Sequence, residues 1–149
     1  MPANSPGITS YNLRVGVDEF LYSNIIAAGA QAPFGCPPQM GVYRGVIVFQ
    51  VVPIPLAGTI TSLIGQLEAS LIPEGIVPAT ASAFGIFNKL VPVGGGPSTL
   101  SPYSGIAFTV NIPIAFDLTG MGGSGKMRLN FGTVTLGTAT GFNVYARLG

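Results

Sequence analysis

Residues 104 to 118, SGIAFTVNIPIAFDL, place an apolar side chain at every even position: Ile106, Phe108, Val110, Ile112, Ile114, Phe116 and Leu118. The odd positions hold Ala107, Thr109, Asn111, Pro113, Ala115 and Asp117. Successive side chains of a β-strand point to opposite faces, so a period of two sustained this long predicts a strand with one face in a core. A slip of one residue would turn the whole apolar set to solvent, which fixes the register. Pro113 has no N–H for a ladder and marks a sheet edge, a bulge or a break between two strands.

The same period recurs downstream. Met127, Leu129 and Phe131 alternate with Lys126, Arg128 and Asn130, which are expected to face outward. Gly132 then shifts the parity to Val134 and Leu136, which predicts a β-bulge. Phe142, Val144, Ala146 and Leu148 alternate again, so the last third reads as an antiparallel meander of about three strands. Near the start, Tyr11, Leu13, Val15 and Val17 share one face of an expected strand over 8–17. Segment 41–52, GVYRGVIVFQVV, is apolar on both faces, as in a strand covered on both sides. One stretch departs from this rhythm. Ile60, Leu63, Ile64, Leu67 and Leu71 follow helical spacing, Thr59 could cap the start and Pro73 stop it, which predicts one short helix near 60–71.

The 22 Gly and 13 Pro are spread through the chain and divide it into short segments, the pattern of an all-β fold with many turns. The 149 residues suffice for one domain with a real core, preceded by a flexible arm at 1–7. An antiparallel β-sandwich of jelly-roll type is the expected architecture.

Charge excludes several functions. The six basic and five acidic residues make up 7% of the chain, against roughly 25% in ordinary soluble domains. A net charge of +1 provides no footprint for specific nucleic-acid binding. The mean hydropathy of +0.57 raises the question of a membrane span. Its best candidate, residues 45–67, contains Pro53 and Pro55 and has a poor profile for a continuous helix. The start, MPANSPGITS, has no basic region or apolar core, so no signal peptide is expected.

Catalytic chemistry has little to work with. The chain has no His, and its single Cys36 lies in the turn-like FGCPPQ. From Gly120 the sequence reads G-x-x-x-x-G-K, but Met127 stands where a phosphate loop needs Ser or Thr, and the residues beyond Lys126 alternate as a strand. A glycine-rich turn is the expectation, with no cofactor and no small-molecule substrate. Asp18 and Glu19 are adjacent but point to opposite faces of an extended chain, so they read as a solvated strand end. Residues 93–105 and 119–126 read as exposed loops, and the five Tyr as core and interface edges.

So little charge leaves a free monomer poorly protected from its neighbours, which points to a surface covered by other copies. The arms 23–35 and 51–58 are apolar and uncharged. Val42, Arg44, Val46, Val48 and Val52 are the candidate interface residues, with Arg44 as the polar boundary.

With its Pro/Gly-rich start, short strands, little charge and no catalytic set, the chain resembles the small β-sandwich and jelly-roll proteins of virus and phage particles. Coat, cement and decoration subunits are of this kind. The resemblance implies two antiparallel sheets, oligomers around symmetry axes, partners that are copies of itself and other virion subunits, and no enzyme activity. Its location would be the virion, assembled in the host cytoplasm. Two alternatives stand beside this expectation: a carbohydrate- or receptor-binding β-sandwich such as a fibre tip, using the two loops, and a non-viral surface-layer or matrix protein.

Overall fold

A computed structural model describes residues 11–14, 16–35, 45–70, 84–91, 99–100, 105–118 and 126–149. In chain order the strands are β1 (Tyr11–Asn12), β2 (Asp18–Ile25), β3 (Gly29–Ala30), β4 (Phe34–Gly35), β5 (Val46–Ile54), β6 (Ile60–Ser70) and β7 (Gly85–Ile86). Then follow β8 (Lys89–Leu90), β9 (Thr99–Leu100), β10 (Ile106–Ala107), β11 (Ile114–Asp117), β12 (Lys126–Leu136) and β13 (Gly141–Leu148). No helix occurs among the described residues.

Two sheets pack face to face. Sheet A runs β1-β4-β12-β6-β10, with β3 added on β12 and β7 on β6; sheet B runs β2-β13-β5-β11-β8-β9. All pairings are antiparallel except β1 with β4. The first long strand, β2, lies beside the last, β13, and among the described strands the chain stays in one sheet only from β3 to β4, β6 to β7 and β8 to β9, changing sheets at every other step. This wrapping is jelly-roll order. The expected meander over the last third is therefore corrected. β12 pairs with β6, whereas β13 pairs with β2 and β5 in the facing sheet. Alternation identifies which face of a strand is buried, not which strand lies beside it.

The long alternating segment is broken where Pro113 permits a break. β10 belongs to sheet A and β11 to sheet B, and Asn111 between them adopts a positive φ of 62°. Its N–H donates to the Val51 carbonyl at 2.8 Å, while Ile112 N–H donates to Thr109 at 3.1 Å. Ile106, Phe108, Phe116 and Leu118 are buried as the period requires. Val110 and Ile114 are half-buried and Ile112 is exposed, so the single continuous inward face is corrected to two short ones.

The predicted helix near 60–71 is also corrected: Ile60–Ser70 is a strand paired along its length with β12. Leu63 and Leu67 face the core and Ile64 faces out. Gly65 occupies the buried position between them, where a Cβ would lie 2.6 Å from Phe131 Cδ1. Leu71 and Pro73 lie outside the described residues. The bulge expected at Gly132 is present as a register shift between Phe131 and Thr133. Among the described residues of 8–17 only Tyr11–Asn12 is a strand, Leu13 is buried and Val17 is half-buried; residues 8–10 and Val15 lie outside the described residues.

Both sheets feed one core. Met127, Leu129 and Phe131 enter it from sheet A, and Phe142, Val144, Ala146 and Leu148 from sheet B. Edge-on aromatic contacts run through it: Phe34 to Phe49 at 6.2 Å and Phe131 to Phe142 at 5.4 Å between the sheets, Phe49 to Phe116 at 5.7 Å within sheet B, and Phe108 to Phe131 at 5.4 Å. Each buried ring contributes about 2 kcal/mol, so this ladder holds the sheets in register.

Candidate subunit interface

Strand β5 sends Ile47, Phe49, Val51 and Pro53 into the core, which leaves Val46, Val48, Gln50, Val52 and Ile54 half-buried on the outer face of sheet B. Three of the expected interface residues, Val46, Val48 and Val52, thus share one face. Val42 and Arg44 lie outside the described residues, as do Tyr43, Cys36 and the arm at 1–7. The apolar segments read as arms are partly strand: Val51–Ile54 completes β5, and 23–35 contains the end of β2 together with β3 and β4.

The ladders add residues that the sequence alone does not bring together. On β13, Arg147 lies opposite Val48, Tyr145 opposite Gln50 and Asn143 opposite Val52. On β11, Ala115 lies opposite Val48 and Asp117 opposite Val46. One strand further, Phe20 pairs with Tyr145, and their rings stack at 5.1 Å. The outer face therefore carries an aliphatic row beside an aromatic pair, with Tyr145 38% exposed. The signal for Tyr145 was present in its parity, opposite to that of Phe142 and Val144; its partner Phe20 becomes visible only with the pairing of β2 and β13.

The charges of the described residues turn toward each other. Arg147 pairs with Asp18 at 3.1 Å, Lys89 with Asp117 at 3.8 Å, Arg14 with Glu19 at 3.5 Å and Arg128 with Glu68 at 2.8 Å. Eight of the eleven charged residues are thereby engaged; Arg44 and Glu74, and the side chain of Lys126, lie outside the described residues. Asp18 is exposed as expected, but Glu19 is buried, because its carboxylate accepts the Arg14 backbone N–H at 2.7 Å. The solvated reading of that pair holds for Asp18 alone.

On sheet A, Arg128 does face outward, yet it is not solvated. Its side chain and that of Glu68 are each 7% exposed, with the Phe84 ring 4.0 Å from the guanidinium carbon. Gln66 Nε2 and Asn130 Nδ2 donate to the second Glu68 oxygen at 2.6 and 3.0 Å. Burial pushes the Glu68 carboxyl up, but the hydrogen bonds from Gln66, Asn130 and Arg128, with the Arg128 charge, hold it below the usual carboxylate value. A carboxylate so fully engaged is a structural brace rather than a proton carrier.

Of the two segments read as exposed loops, 119–125 lies outside the described residues, and within 93–105 only β9 and Gly105 are described. Lys126 opens an eleven-residue strand, so the glycine run does not lead into a helix N-terminus where phosphate would sit. No helix of the described residues is long and apolar enough to cross a membrane. No family model, curated protein or solved structure matches the chain.

Proposed function

We propose that this chain is a structural subunit that assembles with copies of itself into a particle, of the coat, cement or decoration kind found in viruses and phages, and that it has no catalytic role. The observation that carries this reading is the outer face of sheet B. A two-layer sandwich has one core between its sheets, so the row of Val46, Val48, Val52 and Ile54 beside Phe20 and Tyr145 needs a cover from elsewhere. The four internal ion pairs support it, because they leave little unpaired charge on the described surface to keep monomers apart. Jelly rolls serve capsid proteins and lectins alike, so the fold favours neither by itself.

Sedimentation velocity and negative-stain imaging of the purified chain test the proposal. Discrete oligomers or shells at micromolar concentration are expected. A monodisperse monomer throughout that range removes the proposal, and saturable glycan binding by such a monomer assigns the chain to the binding-module class instead.

A further inference from the structure

Charge is segregated along the sandwich. Residues 20–35, 45–67, 105–116 and 129–146 contain no Asp, Glu, Lys or Arg. The four ion pairs gather at the end where β2, β5 and β12 begin and β6, β11 and β13 finish. The opposite end is formed by residues 26–28, 55–59, 108–113 and 137–140. It carries the three most exposed large apolar side chains of the described residues: Leu56 at 76%, Ile26 at 61% and Ile112 at 58%. Leu56 stands on a turn closed by Gly58 N–H donating to the Pro55 carbonyl at 2.8 Å.

Beside that turn a groove of about 450 Å³ opens between the start of β6 and the crossing segment 108–110. Ile60, Leu63, Phe108 and Val110 give it apolar walls, with Thr61 and Thr109 among its polar lining. A cavity of roughly 150 Å³ accommodates a benzene ring, so the groove has ample room for a leucine side chain.

Several backbone groups at this end already have partners. Thr59 N–H donates to Thr138 Oγ1 at 2.9 Å and Thr138 N–H to Thr59 Oγ1 at 3.0 Å. Gly137 and Ala139 N–H donate to the Thr59 carbonyl at 2.9 and 3.1 Å, and Thr140 N–H to Ile54 at 2.8 Å. A dry contact here would therefore leave these groups paired.

We propose that this uncharged end is a second self-association site, in which Leu56 of one copy seats in the groove of another copy. The proposal rests on the self-assembly reading and adds the second contact that an extended assembly requires, since a face that pairs with itself closes after two copies. Four features select a copy of this chain as the occupant. Knob and groove both belong to this chain. Neither carries a charge, so each matches the other and neither matches a charged partner. The outer row of β5 runs through Ile54 and Pro55 directly into Leu56, which makes this end continuous with the sheet B face. A membrane surface is disfavoured because no Lys or Arg at this end meets lipid phosphates.

Single-cysteine chains test the contact in a Cys36→Ser background. Leu56→Cys and Thr109→Cys chains are mixed and oxidised, and a disulfide-linked heterodimer is expected on a non-reducing gel. Leu56→Asp, made in the otherwise unaltered chain, should keep the thermal transition and remove the larger assemblies while leaving pairing through sheet B. Heterodimer no more abundant than random collision gives with an Ile86→Cys chain, exposed on sheet A at the opposite end, overturns the proposal, as does an unchanged size distribution for Leu56→Asp. Flotation with phosphatidylcholine vesicles that depends on Leu56, without cross-linking, assigns this end to lipid and likewise overturns it. Failure here with assembly still lost in Val48→Asp leaves the self-assembly reading intact, whereas a monomeric wild type defeats both.

Discussion

The Tyr22 hydroxyl donates to the Ala32 carbonyl at 2.7 Å and accepts the Leu129 N–H at 3.4 Å, so a side chain of sheet B is tied to the backbone of sheet A. Burial raises the Tyr22 pKa far above the ordinary phenol range, which keeps the hydroxyl a donor at any pH the protein encounters. Tyr22→Phe leaves a part-buried carbonyl and a buried N–H without this partner. The expected loss is about 1–3 kcal/mol, read as a lower urea midpoint with an unchanged slope.

The Glu68–Arg128 pair predicts both a mutational and a pH effect. Removing one partner of a buried pair costs about 3–5 kcal/mol, because the other charge is left uncompensated. Arg128→Met should therefore destabilise strongly, and Glu68→Leu in the same chain should restore much of the loss, a coupling that a double-mutant cycle measures. For pH, the folded carboxyl lies below the unfolded value of 4.5, so the unfolded chain takes up this proton first as acid is added. The stabilisation is complete above that value and is lost as pH falls through the folded pKa. Denaturation curves across the acid range should flatten in Glu68→Gln.

Gly65 faces Phe131 across the β6–β12 ladder, and a methyl group there would meet the ring at 2.6 Å. Gly65→Ala should cost roughly 1–3 kcal/mol despite its better intrinsic propensity, because the aromatic ladder behind Phe131 has no room to retreat. Phe131→Leu in the same chain should recover part of that loss in a thermal melt.

This position also explains what the sequence could and could not reveal. Where large side chains alternate with small or polar ones, as in 127–131 and 142–148, the buried face was legible residue by residue. In β6 the buried position between Leu63 and Leu67 is a glycine, chosen for the ring opposite, so the period of two disappears and the remaining apolar residues mimic a helix. The parity of 106–118 was legible at its two ends only, because the chain crosses from one sheet to the other around Asn111, where Val110 and Ile114 are half-buried and Ile112 is exposed although the sequence alternation runs on. Neighbours in a jelly roll are distant in sequence, and so the joining of Phe20, Tyr145 and Val48 into one face was not legible at all.

The outer face of sheet B yields the decisive prediction. Val48 is half-buried between Arg147 on β13 and Ala115 on β11. In Val48→Asp the new carboxylate would stand on the half-buried outer face, at the strand position opposite Arg147, where water still reaches it in the free subunit, so little stability should be lost. An assembled interface has no such outlet, since a charge placed in a dry apolar contact must be desolvated against a neighbour that offers nothing in return. The expected outcome is a folded chain, with a thermal transition close to that of wild type, whose mass by light scattering drops to that of smaller species. Val52→Asp, opposite Asn143 on the same face, should act in the same direction. Thr135→Asp, exposed on sheet A, should leave the mass unchanged. Dissociation by the first two and not by the third locates the contact on sheet B; equal behaviour of all three variants would show that this face is not where the copies meet.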